Sequence, residues 1–170
     1  MRKALIAAGS LALAGLAAGC SSSATVVDHP AGSSSAAHVG DTLTLQTAAG
    51  RPFQITLTQV VDPAHGTNGS AKKGHRYVAV LFHFDNTSSH GLAGNSDADA
   101  NLVAGDGTVI LPAKPTLKEC GNDKVQYQVA AGQSTTNCIA FSVKSSVQIS
   151  QVQFYPAAGG AKDYGQWDVP

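Results

Sequence analysis

Glutamate is almost missing from this 170-residue chain, and Glu119 is its single representative. Paired carboxylates for general acid–base chemistry would therefore have to come from aspartate. The nearest pair, Asp97 and Asp99, lies in Asn95-Ser96-Asp97-Ala98-Asp99-Ala100-Asn101. That stretch starts like a calcium loop, then puts Leu102 where the turn needs Gly and Thr108 where the bidentate Glu belongs. It is expected to be a solvated polar loop. Nucleophile signatures are equally scarce. No G-x-S-x-G elbow occurs, and Ser70-Ala71-Lys72-Lys73 has S-x-x-K spacing in a Gly-rich loop, without a K-T-G element. No catalytic residue and no cofactor is expected.

Charge is sparse too, at 13% of residues, with eleven Lys and Arg against eleven Asp and Glu. There is no basic stripe to track phosphates, which argues against nucleic acid as a partner. Long apolar runs are absent: the longest, from Ala4 to Leu16, is too short to span a hydrocarbon core of about 30 Å, which takes roughly 20 apolar residues.

That short run has a different meaning in its context. Arg2 and Lys3 precede it, and the small residues Ala17-Ala18-Gly19 follow it, which is the layout of a secretory signal peptide. The segment Leu16-Ala17-Ala18-Gly19-Cys20 resembles the lipobox of bacterial lipoproteins, with Ala17 in place of the commoner Leu three residues before the cysteine. The resemblance implies removal of residues 1–19, lipidation of Cys20 and a protein lipid-anchored at the extracytoplasmic face of the cell membrane. Acyl chains contribute about 0.8 kcal/mol per buried methylene, so two or three of them hold a protein there without a spanning helix. From Cys20 onward the balance is nine Lys and Arg against eleven Asp and Glu, a net charge of −2.

Residues 20–38 are rich in Ser and Gly and have no apolar periodicity to repay the entropy of ordering, so they read as a disordered, flexible tether. Residues 39–170 are the size of one ordinary domain. In an oxidising compartment Cys120 and Cys138 are the two cysteines left once Cys20 carries lipid, and a disulfide between them is expected. Closing that loop stabilises by about 3 kcal/mol on loop-closure entropy. A redox pair or metal thiolates would need C-x-x-C spacing or a neighbouring histidine, and neither is there.

From Gly40 the apolar period is two, not 3.6, with Gly, Asp, Asn and Pro as punctuation. Leu43 and Leu45, then Phe53, Ile55 and Leu57, alternate with Thr and Gln as half-buried strands do. Val78, Val80, Phe82 and Phe84 form the apolar face of a central strand from Tyr77 to Asp85. Gly105-Asp106-Gly107 turns a hairpin between 101–103 and 108–111. Strands are also expected over 125–129, 135–143, 147–155 and 167–169, with a bulge between Ile149 and Val152 where the register slips. About nine short strands without a helix predict an all-β, antiparallel, two-sheet sandwich of immunoglobulin type.

The order of several short motifs resembles a known family. Val39-Gly40-Asp41, Val61-Asp62-Pro63, Lys73-Gly74-His75-Arg76-Tyr77-Val78-Ala79-Val80, Asp106-Gly107, and Ala131-Gly132 ahead of Phe141-Ser142-Val143 look like the telokin-like domain of Gram-positive, actinobacterial surface lipoproteins, the group that includes mycobacterial immunoprotective extracellular antigens. The resemblance runs through most of residues 39–169. It implies an immunoglobulin-like sandwich at the cell surface and no catalytic residues. Lys144, where such domains often have Pro after the F-x-V strand, departs from the pattern.

Histidine is the remaining lead. His65, His75, His83 and His90 fall in or beside residues 62–92, and imidazole suits copper, zinc or nickel. Two functions follow as expectations. One is a non-catalytic binding module whose loops, 62–74 and 86–97, face an envelope or host protein. The other is a transition-metal-binding envelope lipoprotein using those four histidines.

Overall fold

A computed structural model describes residues 26–27, 37–121, 126–156 and 164–170. Residues 1–19, Cys20 and most of the expected tether lie outside the described residues. Within the tether stretch, β1 (Val26–Val27) and β2 (Ala37–His38) each pair with an edge of a sheet.

Two five-stranded sheets make the sandwich. The first contains β1, β3 (Thr42–Gln46), β4 (Pro52–Ala64), β5 (His75–Asp85) and β10 (Ser134–Lys144), in the order β1-β3-β4-β5-β10. The second has the order β2-β12-β11-β7-β8, with β7 at Ala100–Ala104, β8 at Val109–Ile110, β11 at Ile149–Phe154 and β12 at Gly165–Asp168. A separate pair joins β6 (Leu92–Asn95) to β9 (Gln126–Val129), and a single helical turn, α1 (Ser96–Asp99), leads from β6 into β7. Pairing is antiparallel except at the edges, where β1 lies parallel to β3 and β2 parallel to β12.

The strands beyond the nine expected are β1, β2 and β6. The first two are dipeptides, too short for any period to register, and the third is Leu-Ala-Gly-Asn, which has a single large apolar residue. The expected slip in β11 is present as a register shift between Ile149 and Gln151. A bulge of this kind lets one strand keep apolar residues on the same face after the alternation breaks.

The core follows from the alternation. Phe53, Ile55 and Leu57 of β4 and Val78, Val80, Phe82 and Phe84 of β5 point between the sheets and are fully buried. Phe82 meets Phe154 and Trp167 of the other sheet at ring-centroid distances of 5.4 and 5.5 Å. Each such side chain contributes about 1.5–3 kcal/mol by leaving water. The Trp167 indole N–H donates to the carbonyl of Asp41 at 3.0 Å, fastening the last strand to the turn before β3. Among the described residues no helix is long and apolar enough to cross a membrane.

A second, smaller core lies on the outer face of the first sheet. Ala64, Ala79 and Ala140 make a shallow apolar floor, and Leu117 from the 111–121 segment covers it, fully buried. That segment crosses the sheet edge through Ala113 N–H to Ala140 O at 2.8 Å, and a disulfide joins its Cys120 to Cys138 of β10, with Cα atoms 5.2 Å apart.

Candidate functional site at the 62–76 loop end

The segment that carries Leu117 also builds one wall of a cleft of about 350 Å³. The opposite wall is the connection from β4 to β5, residues 63–71, and the start of β5 supplies His75, Arg76 and Tyr77. Backbone hydrogen bonds lock the walls together: Thr67 N–H donates to Thr116 O at 2.9 Å and Lys118 N–H to His65 O at 2.8 Å. Gly66 lets its own wall fold tightly, since a Cβ there would run into the carbonyl oxygen of Gly69 and meet the Tyr77 ring at 3.0 Å.

Glu119 is committed to this junction. Its carboxylate accepts from the His65 backbone N–H and lies 2.7 Å from His65 Nδ1. The His65 ring bond, with help from its backbone N–H, holds the Glu119 carboxyl below the ordinary glutamate range. Beside the cleft the Arg76 guanidinium makes a two-pronged pair with Asp62, Nε to Oδ1 at 2.5 Å and Nη2 to Oδ2 at 2.8 Å. It also donates to the carbonyls of Lys144 and Val147. Asp62 precedes Pro63 through a cis peptide bond.

Two of the four predicted histidines share the cleft. His65 is open to solvent, whereas His75 is half-buried and its Nδ1 has no hydrogen-bond partner among the described residues. An unmet buried polar atom costs about 1–3 kcal/mol. The other two are elsewhere, which corrects the expectation of one metal site built from all four. His83 stands eight residues further along β5, about 26 Å away at strand rise, where it lies near Asp85 and Thr136. His90 sits beyond the strand against Ser89. Among the described residues no group of three or more His, Cys, Asp or Glu is placed to hold a metal ion.

The calcium-like stretch is also not the solvated loop expected. Asn95 caps the α1 turn by accepting from Asp97 N–H at 3.1 Å, and the two aspartates diverge. Asp99 is buried and accepts from Tyr127, while Asp97 lines a separate hollow of about 210 Å³ beside Lys114 and the disulfide. Burial pushes the Asp97 carboxyl up against the pull of Lys114. Carboxylates turned to different sides of a turn do not make one cation site.

Sequence reasoning missed Lys118 and Glu119 as partners of the 62–76 loop. The link runs through 54 residues of chain, and the one signal available was the position of Glu119 next to a cysteine that pairs with β10.

No family model matches the sequence, and no curated protein matches it significantly. Solved structures do share its shape. The yjhA protein of Bacillus subtilis superposes with a TM-score of 0.57 at 10% identity, over 79% of this chain and 99% of that one. The secreted protein MPT63 of Mycobacterium tuberculosis gives 0.54 at 10% identity, over 86% and 100%. A candidate lipoprotein of Bacillus subtilis, ycdA, gives 0.53 at 18% identity, over 74% of this chain but 38% of its own length, so the match concerns well under half of ycdA. At these identities the likeness is one of fold, and the chain has the β-sandwich fold that these bacterial proteins share.

Proposed function

We propose that this protein is a cell-surface lipoprotein, held in the membrane through acyl chains on Cys20, whose β-sandwich is a non-catalytic binding module working through the 62–76 loop end. The observation that carries the binding role is the cleft itself, a hollow beside the sandwich's first sheet, braced by backbone hydrogen bonds and a disulfide-clamped segment. Clefts of this volume are within the range that takes small ligands or a protruding group of a larger one. The address rests on the leader and the residues around Cys20. Descriptions of ycdA as a candidate lipoprotein and MPT63 as secreted are in keeping with it.

Two measurements test this reading. Denatured mass spectrometry of protein taken from its own membrane should give a chain that starts at Cys20 and carries a diacylglyceryl or triacyl addition. An unacylated mass removes the anchor. For the binding role, a photo-crosslinking residue replaces Ala71 at the cleft or Val109 on the edge strand β8, and each variant is irradiated on intact cells. Adducts from position 71 alone support the loop end, and equal or absent adducts at both positions refute it.

A further inference from the structure

The cleft at the loop end is unusual in its charge. Residues 62–76 and 117–119 hold four cations, Lys72, Lys73, Arg76 and Lys118, against two acids, Asp62 and Glu119. The rest of the chain from Cys20 onward has the opposite balance, five Lys and Arg against nine Asp and Glu. Both acids at this end are already engaged, Asp62 by Arg76 and Glu119 by His65. Lys72, Lys73 and Lys118 have no ion pair among the described residues. Lys118 lines the cleft directly, and the Lys72–Lys73 turn connects its two lining stretches, with His75 N–H closing that turn on Lys72 O at 2.9 Å.

Hydrogen-bonding capacity leans the same way. Ser70 lines the wall with a hydroxyl, and His75 lines it with one edge of its ring, whose Nδ1 is buried and has no partner among the described residues. A hollow with a surplus of cations and donors, whose acids are spent on its own framework, attracts anions and not metal ions. Its size admits a compact group, free or protruding from a larger molecule.

We propose that this cleft binds a compact oxyanion, a phosphate or carboxylate group, with Lys118 as the principal charge and His75 and Ser70 as hydrogen-bonding partners. The proposal rests on the loop-end reading above and names its ligand class. A phosphate and a carboxylate share the geometry of clustered acceptor oxygens that lysine and imidazole recognise.

The test is calorimetric titration of the full processed chain, extracted in neutral detergent, with sodium phosphate and separately with citrate. Ionic strength is held constant with chloride, because screening otherwise mimics loss of binding. Saturable uptake of one ion per chain is expected from at least one of the two, and which one binds identifies the group. Lys118→Glu should weaken that uptake about tenfold or more. Lys114→Glu should leave it unchanged, since Lys114 is on the same segment with the same exposed setting but lines a different hollow. No saturable binding of either ion, or equal weakening by both variants, overturns the proposal. The crosslinking result at position 71 is independent of these titrations, so the loop-end reading can stand when the oxyanion assignment fails.

Discussion

Tyr127 donates its phenolic hydrogen to Asp99 Oδ2 at 3.0 Å inside the domain, across 28 residues of chain. The same ring stacks on Phe84 with centroids 4.6 Å apart, so one side chain ties the β6–β9 pair both to the aromatic core and to the α1 turn. Gly94 makes room for it, since a Cβ at that position would collide with the Tyr127 hydroxyl and crowd Asp99. A polar contact in such surroundings stabilises only while its donor keeps its proton.

That condition sets an alkaline limit. Burial, reinforced by the Asp99 charge and hydrogen bond, raises the Tyr127 hydroxyl well above the ordinary tyrosine value of about 10. Above that pH the unfolded chain releases this proton and the folded chain retains it. The unfolded state then binds fewer protons, and stability falls as pH rises. The contribution is whole below about pH 10 and is lost progressively above it. Urea midpoints measured from pH 8 upward should decline beyond pH 10, and Tyr127→Phe should flatten that decline while lowering stability at neutral pH by about 1–3 kcal/mol. Parallel profiles for the two proteins would refute the role assigned to Tyr127. Tyr155, raised chiefly by burial and then by Tyr164, adds a background of the same sign that both proteins retain.

The sandwich was largely legible in the sequence because its core strands obey a strict period of two. Val78, Val80, Phe82 and Phe84 announce one face of β5, and the broken alternation after Ile149 announces the bulge. The Tyr127–Asp99 contact was not legible. Asp99 looks like part of a hydrophilic loop, and only the tertiary path of β9 brings a hydroxyl to it. The second core was hidden for a related reason: Ala79 and Ala140 are too small to signal a buried face, and Leu117 stands alone in a segment of Pro, Lys and Thr. Of the site, the histidine-rich 62–76 region was found, but a charge balance that depends on Lys118 and Glu119 arriving from elsewhere was beyond any local pattern.

The disulfide should matter most for that remote segment. Its sequence separation of 18 corresponds to about 3 kcal/mol of loop-closure entropy. The double variant Cys120→Ser, Cys138→Ser should lose roughly that much in urea unfolding, followed by emission of Trp167, the sole tryptophan. Hydrogen exchange separates a local from a global effect. The Lys118 and Thr67 amides, whose bonds hold the cleft walls, should exchange much faster in the variant under native conditions, while the Phe82 amide in the middle of β5 keeps its protection. Uniform acceleration across the sandwich would show that the bond supports the whole fold and not the lid over the second core.

Arg76 offers the sharpest test of what holds the loop end to the sandwich. Carried by β5, its guanidinium reaches two other segments at once: Asp62 near the end of β4, and the carbonyls of Lys144 at the end of β10 and Val147 in the turn that follows. An ammonium group lacks the planar fork that makes these bonds together, so Arg76→Lys should cost about 1–3 kcal/mol although charge is conserved. The Asp62 and Arg76 side chains are 27% and 21% exposed, enough shelter for the pair to exceed an ordinary surface ion pair. A double-mutant cycle of Arg76→Lys with Asp62→Asn should accordingly give a coupling of about 1 kcal/mol or more that persists in added salt. A coupling near zero would mean that the two carbonyl bonds carry the effect. In that case Asp62→Asn would change stability equally in both backgrounds, and what Arg76→Lys loses would be the hold on the β10–β11 turn instead of on β4.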